Sequence, residues 1–202
     1  MVNKKIILVV MAIISFGVFK LYAEEFDFSG GIVIESFESG KRFSSYSNAD
    51  NQWIGNVAKY GSGCMQITLG GISEKAGGAF QIPGIIGAEE WENNGYDSLT
   101  FWIKGDGSDG TFIVLVNNVG VAKLWCWGGR WDLNAQISLT DEEWHKVVLP
   151  FSEFVFEDNS GAKLEIRKIT AVHFAIGLIT VNPRTQMRTF LIDQVKVERS
   201  KK

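Results

Sequence analysis

The chain has 202 residues, a formal net charge of −3 and two cysteines. That length suits one domain with a sizeable buried core. Lysine and arginine form no run before the terminal RSKK, so clustered phosphate contacts, and with them nucleic acid as a partner, are excluded.

The N-terminal MVNKKIILVVMAIISFGVFKLYAEEF has the order of parts of a secretory signal: Lys4 and Lys5, an uncharged run from Ile6 to Phe19, then Lys20 and the small Ala23. The run is shorter than the roughly 20 residues that span a bilayer. We therefore expect residues 1–23 to be a signal peptide, residues 24–202 to form a single β-sandwich domain, and the protein to be secreted or periplasmic. An uncleaved anchor is the alternative, because Leu21 suits a cleavage site poorly. No cysteine follows the apolar run, which argues against a lipid anchor.

Beyond the leader, short runs alternate apolar and polar residues or are rich in β-branched and aromatic ones. In chain order they are GGIVIESFE, GCMQITLGG, DSLTFWIKG, TFIVLVNN, AKLWCWGG, EEWHKVVLPF, KITAVHFAIGL and RTFLIDQVKVE. Between the first two, RFSSYSNADNQW reads as a polar loop carrying Tyr46. IIGAEEWENN is the best helical candidate and is short. KGDGSDGT, residues 104–111, reads as a hairpin turn, since its Gly and Asp residues tolerate positive φ and bond their own backbone. It lacks the closing Glu of a calcium-binding EF-hand loop. So many strands with loop punctuation and three prolines predict an all-β jelly-roll sandwich. Cys64 and Cys126 either pair or remain buried thiols, and neither has zinc-site spacing.

Enzymatic chemistry finds little footing. His145 and His173 lie on separate predicted strands, and no nucleophile elbow, phosphate loop or HExxH pair occurs. Glu89 with Glu90 and Glu142 with Glu143 are neighbours, so on a strand each pair would face opposite sides. We expect no catalytic activity.

The aromatics are more informative. LWCWGGRW, residues 124–131, holds three of the seven tryptophans. On a strand, Trp125 and Trp127 share a face, roughly 7 Å apart. The flat C–H face of a sugar ring stacks on indole. About 60–80 Å² of apolar contact per ring is worth about 1.5–2 kcal/mol, and three such platforms about 5–6 kcal/mol, which is a dissociation constant of roughly millimolar to tens of micromolar. On a polymer, avidity adds to this. In the other reading the same two indoles fill the space between sheets. Trp131 follows Gly128 and Gly129, at a turn or sheet rim, where Arg130 and Asp132 could bond sugar hydroxyls or simply be solvated. Trp53, Trp91, Trp102 and Trp144 look structural, and Tyr46 is either a further stacking surface or a solvated loop residue.

Taken in order, IVIESFESG, YDSLTFWIKGDGSDGTFIVLV, LTDEEWHKVVLPFSEF and FLIDQVKV resemble family 11 carbohydrate-binding modules and their galactose-binding-like relatives, across most of residues 31–198. The resemblance implies a non-catalytic glycan-binding domain whose ligand stacks on aromatics of a concave sheet, and a structural calcium ion joining the first and last strands. The family's early Asp-Phe-Glu falls on Ser36, Phe37 and Glu38, with the aspartate missing, and its late Ile-Asp on Ile192 and Asp193. Glu38 and Asp193 are thus the implied metal ligands; otherwise both acids cap strand ends in water. Two functions follow from the whole reading. One is a carbohydrate-binding protein whose partner is a polysaccharide or cell-envelope glycan, held by Trp125, Trp127, Trp131, Arg130, Asp132 and Tyr46. The other is a structural protein of a periplasmic or surface assembly, such as a flagellar filament outer-layer protein, with an envelope or filament protein as partner.

Overall fold

The computed structural model describes residues 30–41, 43, 45–47, 49–69, 78–107, 112–118, 127–128, 142–154, 164–176 and 188–200. In chain order they form strands β1 (Gly31–Glu35), β2 (Ser45–Ser47), β3 (Ala49–Gly55), β4 (Gly63–Leu69) and β5 (Gly78–Pro83), helix α1 (Ala88–Asn93), then β6 (Ser98–Lys104), β7 (Phe112–Asn118), β8 (Trp127–Gly128), β9 (Trp144–Pro150), β10 (Ile169–Ile176) and β11 (Arg188–Glu198). One sheet runs β3-β4-β11-β6-β9, with β1 also paired to β11; the other runs β2-β5-β10-β7-β8. All these pairings are antiparallel.

The period of two in β6 explains how the sheets close on each other. Leu99, Phe101 and Ile103 are fully buried on one face, while Trp102 and Lys104 are only half-buried on the other. From the opposing sheet β10 supplies Val172 and Phe174, also fully buried. The rings of Phe101 and Phe174 meet edge to face, with centroids 5.0 Å apart and planes at 82°. Phe37, Met65, Ile67, Leu149, Phe190 and Ile192 extend this layer. The all-β jelly-roll sandwich expected from the alternation is the fold.

Two local expectations need correction, and the short helix expected in IIGAEEWENN is found. β6 and β7 lie in different sheets and do not pair, so they do not form the expected hairpin. RFSSYSNADNQW is no plain loop, since it contributes to β2 and β3. Its buried Asn51 explains why: Nδ2 donates to the Phe43 carbonyl at 2.9 Å and Oδ1 accepts the Phe43 N–H at 3.2 Å, so a polar side chain acts as a strand partner. Glu89 and Glu90 stand in the first turn of α1, where carboxylates complement the helix dipole, and buried Trp91 anchors that helix.

No helix among the described residues is long and apolar enough to cross a membrane. The expected signal peptide, residues 1–23, lies outside the described residues.

Candidate functional site

The five-stranded sheet has two faces that its register separates. In β10, Val172 and Phe174 enter the core, and Ala171, His173 and Ala175 alternate with them. Tyr46 pairs with Ala79, and Ala79 with Ala175. At the other edge Trp127 pairs with Asn117, and Asn117 with Ala171. Directly paired residues share a face. The backbone rows that contain Tyr46 and Trp127 thus lie on either side of the Gln81–His173–Leu115 row. Four strand spacings separate β2 from β8, or about 19 Å at the usual spacing of roughly 4.8 Å. His173 is only 7% exposed, and burial holds its pKa down at about 4, so the imidazole is neutral at physiological pH.

The six-stranded sheet carries a different constellation. Its register against β6 shifts between Asp193 and Lys196, and Gln194 has a left-handed backbone, φ 44°. Such a bulge re-aims a side chain. The buried Asp193 carboxylate meets the loop between β3 and β4: Oδ2 accepts the Tyr60 N–H at 2.8 Å and Oδ1 accepts the Gln194 N–H at 2.7 Å. Burial raises its pKa to about 6, against the pull of the N–H groups of Tyr60, Gln194 and Lys59, and the nearby Glu38 charge adds to the rise. Glu38 holds the end of the same loop. Its two oxygens share the Ser62 N–H at 3.0 Å, Oε1 accepts the Gly63 N–H at 3.2 Å, and Oε2 accepts the Ser62 hydroxyl at 2.6 Å.

So fastened, the loop lies over Trp102. The Lys59 ammonium sits 4.8 Å from that ring, and the Tyr60 ring meets it at 5.8 Å. Cys64, beneath, is a free buried thiol, raised to about 12 first by burial and then by the Asp193 charge, and so unreactive.

No known family pattern matches the sequence, and no curated protein matches it. Solved structures do. A family 11 carbohydrate-binding module from Clostridium thermocellum, in complex with a β-1,3-1,4-mixed-linked tetrasaccharide, superposes with a TM-score of 0.56 at 21% identity, covering 84% of this chain and 96% of that one. This fold is that of the family 11 carbohydrate-binding modules. A family 30 carbohydrate-binding module shares it with a TM-score of 0.59 at 12% identity, over 85% of this chain and 89% of that one. An exo-β-agarase contains it too, with a TM-score of 0.56 at 15% identity, where 86% of this chain matches 25% of the enzyme. The family 11 likeness read from the order of strand segments thus holds at the level of fold.

Of the residues named from sequence, Glu38 and Asp193 come together on one loop. Tyr46 and Trp127 stand at opposite edges of one sheet. Trp125, Arg130, Trp131 and Asp132 lie outside the described residues, as does Cys126. The sequence reading missed the backbone donors of Lys59, Tyr60, Ser62 and Gly63. The glycine-bracketed run KYGSG was the available signal, since it marks a tight return between two strands.

Proposed function

We propose that the protein is a secreted or periplasmic, non-catalytic module that binds a polysaccharide across the five-stranded sheet. Tyr46, Trp125, Trp127 and Trp131 stack on sugar rings, and Arg130 and Asp132 bond hydroxyls. The observation that supports this reading is the strand order, in which Tyr46 and Trp127 belong to the two edge strands of one sheet. Their separation of about 19 Å across the strands favours a chain of sugars over a single one. The family 11 module of similar fold is a protein bound to a mixed-linked tetrasaccharide, which agrees in ligand class. A non-catalytic role is favoured because His145 and His173 belong to different sheets and the Glu89–Glu90 pair is spent on a helix turn.

Affinity electrophoresis of the full chain against β-glucans, xylan, mannan and peptidoglycan tests the proposal. Retardation on at least one glycan is expected, and weakens in Trp127→Ala. Unchanged mobility on every gel rejects it. The reading as an envelope or filament protein gains no specific observation from the fold or its relatives.

A further inference from the structure

A cation joining the first and last strands is what the family 11 resemblance implies, and Glu38 and Asp193 are the acids that would bind it. The geometry around them fits such an ion poorly. Calcium takes six to eight oxygens whose lone pairs face the metal. Here the carboxylate oxygens face donors instead: the N–H groups of Tyr60 and Gln194 on Asp193, and those of Ser62 and Gly63 with the Ser62 hydroxyl on Glu38. Each of those hydrogens places positive charge where the ion's charge would act.

The neighbouring oxygens are committed as well. The Phe37 carbonyl accepts the Trp53 Nε1–H at 2.7 Å, and Glu35 Oε1 accepts the Phe37 N–H at 2.7 Å. The first position of the early acid pattern is Ser36, which brings no carboxylate. Among the described residues no three His, Cys, Asp or Glu side chains gather to hold a metal ion.

We infer that Glu38, after β1, and Asp193, in β11, fasten the β3–β4 loop directly through its backbone N–H groups, and that this joint closes without calcium. Charge-assisted bonds from a ring of amides do the work of the ion. Asp193 then anchors the middle of the loop at Lys59 and Tyr60, and Glu38 its end at Ser62 and Gly63. The two carboxylates approach from opposite ends of the chain, so the loop ties the segment after β1 to the last strand.

The test uses the full chain, dialysed against EGTA and assayed for bound metal, then melted with EGTA or with excess calcium chloride. The amide joint predicts no stoichiometric calcium and the same melting midpoint in both buffers. Glu38→Gln, which keeps one acceptor oxygen but loses the charge, should melt lower by the same amount in both. A bound ion at a hundredfold over its dissociation constant would instead raise the midpoint by roughly 5–10 °C. Stoichiometric calcium after dialysis, or a rise of that size that Glu38→Gln abolishes, overturns the inference.

Discussion

Two tryptophans belong to strands of different sheets, and their surroundings differ. Trp102, in the six-stranded sheet, is covered by the molecule itself: Lys59 and Tyr60 lie against its ring, on a loop that Glu38 and Asp193 hold down. Trp127, in the five-stranded sheet, sits in an edge strand, in a row shared with Asn117 and Ala171. A tryptophan in a strand-like run is therefore no guide to function until the register and the neighbouring loop are known. The outer side of one sheet is closed by hydrogen bonds within the chain, and the other is the side we assign to a ligand.

Both faces depend on one core, so the largest effect should come from breaking it. Phe101→Ala removes the ring that meets Phe174 between the sheets and should cost about 3–5 kcal/mol in urea unfolding. A loss under about 1 kcal/mol would show that the sheets are held chiefly by something else.

His173 sharpens the comparison through pH. Folded, it titrates near 4 because of burial; unfolded, near 6.5. Its contribution is complete above the unfolded value and is lost as pH falls toward 4, by on the order of 2–3 kcal/mol. Asp193, raised to about 6, acts oppositely, its contribution shrinking as pH rises through 4 to 6. Subtracting the His173→Gln curve from the wild-type one isolates the histidine. The difference should fall between pH 7 and pH 4, and parallel curves would refute the assignment.

The joint on the six-stranded sheet has its own weak point. A Cβ at Gly63 would run into the Trp53 indole, so Gly63→Ala should destabilise by roughly 1–3 kcal/mol. A neutral result would mean that the indole swings away cheaply. The smallest effect should come from Lys146→Met. That residue pairs with Glu198 at 2.9 Å on a half-exposed surface, and such pairs contribute under about 1 kcal/mol. A larger loss would shift the closure of this face from the loop to its ion pairs.

Much of this was legible in the sequence, for reasons that particular residues make plain. Leu99, Phe101 and Ile103 alternate because one side of β6 is core, and that period survives in the bare string. β3 was hidden because buried Asn51 looks like a loop residue until its bonds to Phe43 are seen. Gly and Asp after Lys104 announce a turn, yet turn chemistry cannot say which sheet the next strand joins. Glu38 and Asp193 were reachable only through the order of family-like segments. Their partners are backbone N–H groups, which every residue but proline carries, so no side chain advertises them.

The assignment of the two faces is tested most directly by calorimetric titration of whichever glycan retards the wild-type chain, using Trp127→Ala and Trp102→Ala, each first checked for folding by circular dichroism. Losing one stacked ring, about 1.5–2 kcal/mol, should weaken binding roughly 10–30-fold in Trp127→Ala. Trp102→Ala should bind as the wild type does. Equal affinity for Trp127→Ala and wild type, or the greater loss in Trp102→Ala, would contradict the account.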